Sequence, residues 1–544
     1  MSRKPLATID SETDPFKFRR VPKPFLWDIY DGSAHFTFPH LSDALHFLSD
    51  KAWIVYAHNG GKFDYLLPGF LDAISQFSKV MIINGRLAKF SIGACEFRDS
   101  YNILPIPLRD FDKGEIDYAK MEKAVRHKHM AEITTYLHRD TESLYRLVAA
   151  FRETYGNGLT LAGSAMKFWE TRTRTRSPES SRGFYNEVAP FYHGGRVECF
   201  HVGEIKKPFR MIDINSAYPF AMLSEHPIDP EELDVRKYDG GEIVGHWLYQ
   251  LTCVSRGALA FHVKGKGLDF PDDDVVREYH TTGWELKTAL DYGLLDSVKI
   301  SCVRVFTKTI NFSKYIHFFY DMKKCAPKGS PEYVFAKLFM NSLYGKFGAN
   351  PSNYSNFELV EPRLKKPMEK DGYTFAGELG PWVVMASPLT ENEERYYNVS
   401  TAASITGQVR STILAQMCEI RKAGGEILYC DTDSIVFAGG GCPTLNKELG
   451  GWSCDLSGTR GGIAGKKLYA FYGTDEKGKK GWKTACKGVR ISPQEIMEVA
   501  RGKVVVYERE APSFTVKGEP SFITRTVRRT GIVKRKGCPA PYVA

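Results

Sequence analysis

The sequence predicts a mixed α/β protein (an α+β chain of several domains), and three observations indicate this. The chain has 544 residues, which is too long for one compact domain, so two to four domains are expected. Short β-type runs, such as AWIVYAHN at 52–59, alternate with helical patterns near 130–150 and 312–348. Hydrophobic residues make up 43% of the chain and aromatic residues 13%, which is enough to fill several cores.

The charge and the cysteines restrict the class of protein. The formal net charge of +10 indicates a polyanionic partner. Binding to a membrane surface is the alternative explanation of this charge. No apolar run is long enough to span a bilayer, and the N-terminus has no signal-peptide core, so we expect an intracellular protein. The 11 cysteines are scattered without any CxxC pair, which indicates neither a disulfide framework nor a zinc site.

Two basic segments have two interpretations each. The run TRTRTRSPESSRG at 171–183 is either a solvated loop or a nucleic-acid contact. Residues 521–537 carry six Arg and Lys residues and no acid. This stretch is either a strip that contacts phosphates or a basic tail.

Paired carboxylates mark the C-terminal two-thirds of the chain. In YCDTDSIVF at 429–437, Asp431 and Asp433 lie two apart between apolar runs, which indicates either a turn or a cation site. Strand alternation predicts that both point to one face, where they raise each other's proton affinity unless a cation neutralises them. Asp213 interrupts the apolar strand at 211–214 and would complete an oxygen-rich site suited to Mg²⁺. Two such ions stabilise attacking and leaving oxygens in phosphoryl transfer.

Residues 312–348 are predicted to form a helix, a turn and a second helix. In the second helix Lys337, Asn341 and Tyr344 lie on one face, at i, i+4 and i+7. A cation, an amide and a flat ring on one stripe suit a nucleoside triphosphate. Lys323 and Lys324, at the end of the first helix, are candidates for further phosphate contacts.

Three acidic segments occur in the N-terminal third. ATIDSETDPF at 7–16 contains Asp10 and Glu12, and AHNGGKFDYLL at 57–67 contains Asp64. In TYLHRDTESLYRL at 135–147, Tyr136 and Asp140 lie on one helix face. Alone, the first segment is typical of a surface strand. If the three segments converge, they form a second two-metal site, here for hydrolysis.

The C-terminal motifs resemble those of a known family. DINSAYP (213–219), KLFMNSLYG (337–345) and YCDTDS (429–434), in this order, are similar to the three polymerase motifs of family B DNA polymerases. SITGQVR (404–410) resembles their template–primer motif, with Val409 where Gly or Ala is usual. KKLY (466–469) resembles the Lys-x-Tyr motif that steadies the primer terminus.

The resemblance implies a role for each matching residue. Asp213 and Asp433 would bind two metal ions, and Asp431 would support them. The nucleotide would be bound by residues for its phosphates, sugar and base: Ser216, Lys337 and Lys324 at the triphosphate, Tyr218 as the steric gate under the sugar, and Asn341 and Tyr344 at the nascent base pair. Arg410, Lys467 and Tyr469 would contact DNA.

The N-terminal segments resemble the three motifs of the 3′–5′ exonuclease of the same family. The implied metal ligands are Asp10, Glu12, Asp64 and Asp140, and Tyr136 would orient the attacking water. Asn59, Phe63 and Tyr118 would hold a single-stranded end. In KGEIDY at 113–118, Lys113 would assist catalysis.

Further matches indicate the protein-primed branch of the family, from bacteriophages or linear plasmids. FYHGGRVE at 191–198 resembles a motif that would place Tyr192, Gly194 and Gly195 against the template strand. Two segments match terminal-protein-region insertions by position. The implied organisation is an RNase H-like 3′–5′ exonuclease domain and then a right-hand polymerase: exonuclease 1–155, connector 156–200, palm 201–223, first insertion 224–308, fingers 309–348, second insertion 349–396, palm 397–485 and thumb 486–544.

The implied activity is DNA synthesis from a protein primer, with strand displacement and proofreading. The implied cofactors are two Mg²⁺ or Mn²⁺ ions per active site. The partners would be template and primer DNA, dNTPs and a terminal protein. The polymerase would be a monomer, or would form a heterodimer with the terminal protein. It would act in the host cytoplasm. The alternatives are a DNA-primed family B polymerase, an RNA-synthesising enzyme and an inactive polymerase-like scaffold.

Overall fold

The structure is a computed structural model, and it describes residues 4–108, 114–177, 179–229, 233–263, 265, 267–515 and 518–530. Within these ranges no helix combines the length and the apolar character that a membrane crossing requires.

The described part of the first 155 residues alternates short strands with two helices. Their bounds are β1 (Leu6–Thr13), β2 (Pro24–Tyr30), β3 (His35–Phe38), α1 (Leu41–Leu48), β4 (Ile54–Ala57), β5 (Lys79–Ile83), β6 (Arg86–Ile92), β7 (Cys95–Asp99) and α2 (Met130–Tyr155). The runs at 52–59 and 130–150 therefore have the predicted types.

The next segment contains two helices, a run of strands and two short helices among them. The bounds are α3 (Leu161–Thr173), α4 (Arg182–Val188), β8 (Val197–Cys199), β9 (Gly203–Ile205), β10 (Phe209–Ile214), α5 (Ala217–Ala221), β11 (His226–Pro227), β12 (Leu233–Arg236), β13 (Leu248–Ser255), β14 (Phe261–Val263), β15 (Gly267–Asp269), β16 (Arg277–Thr282), α6 (Gly283–Asp291), β17 (Leu295–Phe306) and β18 (Thr309–Ile310).

The arginine run at 171–183 is helical at both ends, and two of its arginines have contacts within the chain. Arg172 lies in α3 with its guanidinium 4.3 Å from the ring centroid of Phe318. Arg182, at the start of α4, forms an ion pair with Glu394. These contacts hold part of the run against the protein.

The remaining elements begin with a helical pair and end with short hairpins. The bounds are α7 (Ser313–Cys325), α8 (Pro331–Met340), α9 (Leu343–Phe347), β19 (Ser355–Val360), α10 (Lys365–Lys370), β20 (Thr374–Leu379), β21 (Trp382–Pro388), α11 (Val399–Lys422), β22 (Glu426–Asp431), β23 (Ser434–Ala438), β24 (Trp452–Gly465), β25 (Leu468–Thr474), β26 (Lys480–Cys486), α12 (Pro493–Ala500), β27 (Val505–Glu508), β28 (Ser513–Thr515), β29 (Gly518–Ser521) and β30 (Thr524–Val527).

The predicted second helix of the 312–348 segment is interrupted. Pro331 begins α8, where its missing N–H costs nothing, and the Ser330 hydroxyl caps the helix by accepting a hydrogen bond from the Tyr333 amide. The helix ends at Met340, and α9 starts at Leu343. Asn341 lies at the break and its side-chain amide donates to the Lys337 carbonyl, at 2.8 Å. The prediction of one continuous helix is therefore wrong at this point.

Two large sheets organise the described chain. Ten strands form the first sheet, in the order β20-β21-β19-β5-β6-β7-β4-β1-β2-β3. Strand β1 pairs with β4, and β4 with β7, in parallel, and α2 packs against β1 and β2. Strand β19 joins this sheet through β5, which makes residues 355–388 an extension of the N-terminal sheet. The core on this sheet includes Leu359 and Val384 beside Val55 and Phe97.

The second large sheet has the strand order β26-β25-β24-β10-β23-β22-β8, with β9 paired to β24. Its central strands are apolar because they are covered: the described side chains of β23 are all buried. The helix α11, capped by Asn398, packs against β22, α5, α6 and α9. A separate four-stranded sheet, in the order β12-β17-β13-β16, carries α6. The carboxylates described next lie at one end of β10, β22 and β23.

Candidate active site

Asp213 lies near the end of β10, between two neighbouring strands. It pairs with Ser434 of β23 on one side and with Ser453 of β24 on the other. The next amide, of Ile214, donates to the carbonyl of Asp433 at 2.9 Å. Asp213 therefore lies next to the 429–437 hairpin, as predicted, because β10 and β23 pair in antiparallel orientation.

The hairpin turn between β22 and β23 consists of Thr432 and Asp433. Asp431 ends β22 and pairs with Ser434, so strand alternation does not continue through the turn. The argument that Asp431 and Asp433 share a face because they lie two apart is therefore wrong. Thr432 has φ +60°, an unfavourable region for a β-branched residue, and its amide donates to the Arg196 carbonyl at 2.7 Å.

The carboxyl groups of Asp213 and Asp433 lie in a local excess of negative charge. Burial, then Asp433 and then Asp455 raise the pKa of Asp213 to about 7. Burial is also the largest cause that raises the pKa of Asp433 to about 6, with Asp431 and Asp455 adding to it. A cation at this position would stabilise the ionised forms, so the donor set fits divalent metal ions.

Asp455 is a carboxylate of this site that sequence reasoning missed. In the pairing of β10 with β24, Met211 faces Leu456 and Ile212 faces Cys454, so Asp455 is the extra residue of a β-bulge. A bulge redirects a side chain in a way that strand periodicity does not predict. Asp455 forms an ion pair with Lys483.

Asp431 is occupied by protein contacts. Its carboxylate accepts from Lys467 Nζ at 2.5 Å, from the Thr432 hydroxyl at 3.1 Å and from the Tyr429 hydroxyl at 3.3 Å. Tyr469 lies beside this group, with its ring 5.2 Å from that of Tyr429. Burial and the acids of the site raise the pKa of Tyr469 to about 12. The Lys467–Tyr469 segment thus lies against the carboxylates rather than apart from them.

Aromatic side chains form one wall of the site. The rings of Tyr218 and Tyr344 are stacked, with centroids 4.3 Å apart and planes 12° apart. Gly195 lies against this wall, because a Cβ at that position would be 3.1 Å from the Tyr218 hydroxyl and 2.8 Å from Thr432 Cγ2. Tyr192 packs against Gly348 in the same region. The structure therefore brings the predicted residues Tyr192, Gly195, Tyr218 and Tyr344 together.

Three further residues predicted at the nucleotide lie on accessible surface near this wall. Ser216, with φ +56°, precedes α5. Lys337 and Asn341 are exposed and Tyr344 is half-buried, so all three are accessible on either side of the break between α8 and α9.

Of the two neighbouring lysines on α7, Lys323 is the one whose charge interacts with that of Lys337. Burial and the charge of Lys337 lower the pKa of Lys323. Lys324 Nζ lies 5.7 Å from the ring centroid of Tyr320 instead. The structure therefore groups Lys323 with Lys337, whereas the family resemblance implied Lys324.

Arg410 is buried, and its contacts differ from those predicted. Its guanidinium forms two hydrogen bonds of 2.7 Å with the Glu285 carboxylate, and both side chains are 2% exposed. It also donates to the carbonyls of His193 and Gly194, at 2.5 and 2.9 Å. Because its donors are used inside the protein, the placement argues against direct DNA contact and for positioning of the 193–195 loop. Gly194 is exposed, with no atom within 4 Å of a Cβ built on it.

The N-terminal acidic segments are linked by hydrogen bonds. Ser11, which lies between Asp10 and Glu12, donates to the Asp64 carboxylate at 2.5 Å. Thr8 donates to the carbonyl of Thr141, the residue after Asp140, at 2.8 Å. Glu12, Asp64 and Asp140 are buried and Asp10 is partly buried. The three segments therefore converge, as the sequence predicted they must for a hydrolytic site.

The other predicted residues of this N-terminal site have the following positions. The hydroxyls of Tyr118 and Tyr136 are 3.2 Å apart. Asn59, with φ +62°, accepts from Arg86 at 2.7 Å. Phe63 packs edge-on against Phe16 and Phe514, at 5.5 and 5.7 Å. Lys113 lies outside the described residues.

The basic stretch at 521–537 is described in part. Arg525 donates to the Gly488 carbonyl at 2.9 Å and Arg529 to the Ala500 carbonyl at 3.3 Å. Lys534, Arg535 and Lys536 lie outside the described residues.

Comparison with known proteins adds independent findings. Residues 111–361 match the family described as DNA polymerase type B, organellar and viral. The chain is 34% identical to the DNA-directed DNA polymerase of Enterobacteria phage PRD1, over 96% of this chain and 98% of that protein. It is also 26% identical to the DNA polymerase of Bacillus phage phi29, over 68% of this chain and 66% of that protein.

Solved structures agree on the fold. The phi29 DNA polymerase complexed with primer-template DNA and incoming nucleotide substrates superposes with a TM-score of 0.77 and 18% identity, covering 97% of this chain and all of that one. The same polymerase complexed with single-stranded DNA gives a TM-score of 0.75 with 19% identity. The mixed α/β, multidomain polymerase fold therefore extends over nearly the whole chain.

Proposed function

The chain belongs to the protein-primed family B DNA polymerases, and from that premise we propose that it replicates a linear genome from a protein primer, with strand displacement and 3′–5′ proofreading. It is a DNA-directed DNA polymerase. Template and primer DNA and dNTPs are the proposed ligands, as for the structural relative bound to primer-template DNA and nucleotides. We place this activity in the cytoplasm of a host cell.

The observation that carries the assignment of the polymerase site is that Asp213, at the end of β10, lies beside the turn that contains Asp433. Both carboxylates have a pKa raised by burial and by neighbouring acids, which is the electrostatic situation that a divalent ion relieves. Polymerases of this family generally use divalent metals. Two Mg²⁺ ions held by these carboxylates would neutralise the triphosphate and activate the primer 3′-hydroxyl.

The other residues of the site position the substrates. Lys467 holds Asp431 through a 2.5 Å hydrogen bond, which supports a role for Asp431 in orienting the turn that carries Asp433. The stacked rings of Tyr218 and Tyr344 offer a flat surface for the nucleotide, with Tyr218 under the sugar as the gate. Lys337, Lys323 and Ser216 would contact the phosphates, and Asn341 the nascent base pair. Positioning and charge neutralisation are what in-line nucleotidyl transfer requires of the protein.

The N-terminal acids are proposed to hydrolyse mispaired 3′ ends. Asp10, Glu12, Asp64 and Asp140 would bind two metal ions, and their convergence through Ser11 and Thr141 supports this. Tyr136 would orient the attacking water. Tyr118 is exposed and lies next to Tyr136, so its ring is available to an unpaired base.

The proposed domains follow the described elements. The first 155 residues form the exonuclease domain on the ten-stranded sheet, and the eight-stranded sheet forms the palm. The helical pair α7 and α8 would be the fingers, and residues from 486 onward the thumb. The four-stranded sheet (224–308) and the β19–β21 segment (349–396) would be the terminal-protein-region insertions. The second insertion, which β19 joins to β5 of the N-terminal sheet, is proposed to take part in strand displacement.

The polymerase site is tested by substitution of its acids. Asp433→Ala should abolish primer extension by the purified chain, because a metal-binding carboxylate is lost. Asp431→Asn should cost less, about 10–100-fold, as expected for a residue that supports a ligand. Primer extension measured at saturating Mg²⁺ decides this. If Asp433→Ala retained full extension, the site would be assigned wrongly.

Protein priming requires its own experiment. Labelled dNTP is incubated with the polymerase and a candidate terminal protein, without any nucleic-acid primer, and transfer onto the protein is measured. We expect covalent labelling with the wild type and none with Asp433→Ala. A polymerase that extends DNA primers but labels none of the candidate terminal proteins would instead be a DNA-primed enzyme.

A further inference from the structure

A buried aspartate and two histidines lie together on the exonuclease side of the molecule, beside the N-terminal acids but not among the residues assigned to either acidic site. They are Asp28 of β2, His35 of β3 and His138 of α2, and one ligand atom from each lies within 4.8 Å of the others. Within the described ranges, they are the one such group of three found. Asp28 and His35 lie on consecutive strands of the chain, and the packing of α2 brings in His138 from more than a hundred positions away.

Asp28 is fully buried, and its hydrogen bonds come from neutral or titratable donors. Its carboxylate accepts from the hydroxyls of Thr37 and Thr141, at 2.9 and 2.6 Å. His35 Nδ1 lies 2.9 Å from Oδ2. Among the described residues, no lysine or arginine pairs with Asp28, so its charge is not neutralised by a permanent cation. A buried carboxylate in this position gains from a bound metal ion.

The two histidines present nitrogens beside that carboxylate and are reachable from solvent. His138 Nε2 lies 3.4 Å from Asp28 Oδ1, and the side chains of His35 and His138 are 22% and 32% exposed. Thr37 Oγ1 lies 2.8 Å from His138 Nε2 as well as 2.9 Å from the carboxylate. Two imidazole nitrogens and a carboxylate oxygen within 4.8 Å of one another are close enough to share one small divalent ion.

From this geometry we infer that Asp28, His35 and His138 form a transition-metal site, for which Zn²⁺ is the representative ion. Imidazole ligands select first-row transition ions, whereas the all-carboxylate sites select Mg²⁺. The rings of His35 and His138 are stacked, with centroids 4.0 Å apart and planes 10° apart. Parallel rings do not aim both lone pairs at one point, so binding requires one partly exposed ring to turn.

A bound ion would join three elements of the exonuclease domain. It would link β2, β3 and α2, and α2 carries both Tyr136 and Asp140. Asp28 also faces Asp10 directly in the pairing of β1 with β2. The ion would therefore hold α2 against β2, the strand that pairs with the β1 strand carrying Asp10 and Glu12. The inference itself does not depend on the exonuclease assignment, since it concerns binding.

The test uses the full chain, stripped of metal and kept with a thiol-free reductant. Co²⁺ is titrated in the presence of excess Mg²⁺, which occupies the carboxylate sites, and bound cobalt and its visible absorption are measured. We expect the wild type to bind one more equivalent than His35→Phe and His138→Phe, each of which keeps an aromatic ring but lacks the nitrogen. His46→Phe makes the same change at a histidine of α1 outside the cluster and should bind as the wild type does.

Zn²⁺ should also raise the melting temperature of the wild type and of His46→Phe, and leave that of His35→Phe unchanged, because only the folded chain holds the site. Near-ultraviolet circular dichroism of the metal-free variants checks that they fold. The inference is overturned if all four proteins bind the same amount of Co²⁺, or if the wild type binds none that excess Mg²⁺ does not displace. The cluster would then be a hydrogen-bond network that anchors α2.

Discussion

Individual residues of the polymerase site are held in unfavourable states, and a bound cation would relieve the electrostatic ones. Asp213 and Asp433 lie side by side with raised pKa values, and Asp455 adds a third charge. Thr432, between the two motif aspartates, has a left-handed backbone conformation, as does Ser216. Strain and charge of this kind persist only where the surrounding structure imposes them, and they are concentrated at functional sites.

The raised pKa of Asp213 predicts competition between protons and metal. Burial and the neighbouring acids raise this pKa from 3.8 to about 7, so the folded chain holds the proton more tightly than the unfolded chain. The metal-free protein should therefore lose stability as the pH rises from about 4 to 7. Because a divalent ion needs the ionised form, the Mg²⁺ concentration for half-maximal extension should rise about tenfold between pH 8 and pH 6. Extension assays at several pH values measure it, and an equal Mg²⁺ requirement at pH 6 and pH 8 would contradict it.

The ring of Tyr218 predicts the sugar selectivity. It stacks on Tyr344, which fixes its plane, and the smaller side chain in Tyr218→Val would leave room for a 2′-hydroxyl. Ribonucleotide incorporation should rise by roughly 10–100-fold relative to dNTP incorporation. Single-nucleotide extension with matched rNTP and dNTP measures the ratio. Unchanged sugar selectivity would remove Tyr218 from the role of gate.

At the scale of elements, the loop before β8 connects distant parts of the chain. Arg410 of α11 binds two of its carbonyls and also Glu285 of α6, so α6, α11 and the 193–195 loop share one buried ion pair. Removing one partner of such a pair leaves an uncompensated charge, at a cost of about 3–5 kcal/mol. The loop in turn contacts the motif turn, because the Thr432 amide donates to the Arg196 carbonyl.

The close contact of this loop with the turn predicts that Gly195 tolerates no side chain. A Cβ there would lie 2.8 Å from Thr432 Cγ2 and 3.1 Å from the Tyr218 hydroxyl, so Gly195→Ala should displace the turn that carries Asp433. Primer extension should fall by about 10–100-fold while the fold is retained. Gly481→Ala is the control, since a Cβ at that position would have no atom within 4 Å and the backbone there is unstrained. Equal activity of both variants would contradict the contact.

At the scale of the whole molecule, two acidic sites lie on two different sheets. Asp10 and Glu12 belong to β1 of the ten-stranded sheet, and Asp213 to β10 of the eight-stranded sheet. The two halves are joined by packing: Tyr155 at the end of α2 stacks on Phe339 of α8, with centroids 3.9 Å apart. Phe63 and Phe514 add a second contact, between the N-terminal and C-terminal parts of the chain.

This separation predicts that trimming and extension can be abolished independently. Asp10→Ala combined with Asp64→Ala should reduce 3′ trimming of single-stranded DNA to background and leave extension within about twofold, because each acid binds metal only in its own site. The converse variant, Asp433→Ala, should trim and not extend. Gel assays of both activities on one primer measure this, and joint loss in either variant would indicate a shared site or misfolding.

Much of the site was predictable because its residues cluster in short motifs. Asp431 and Asp433, Asp10 and Glu12, and Tyr136 and Asp140 each lie within one strand, turn or helix turn. The position of Asp455 and the pairing of Lys323 with Lys337 were not predictable, since a bulge and a neighbouring helix determine them. Arg410 was assigned to DNA from its motif, and only its partner Glu285, more than a hundred positions away, reveals that it is buried.

The sequence by itself determined the family, the acidic motifs and the basic, α/β character of this protein, because these depend on residue identity and local spacing. The tertiary structure decided which motif residues face one another. It placed Asp213 beside the turn that carries Asp433, tied Asp431 to Lys467, buried Arg410, and brought Asp28, His35 and His138 together. Contacts of this kind depend on strand register and helix packing between segments far apart in the chain, and no local pattern encodes them.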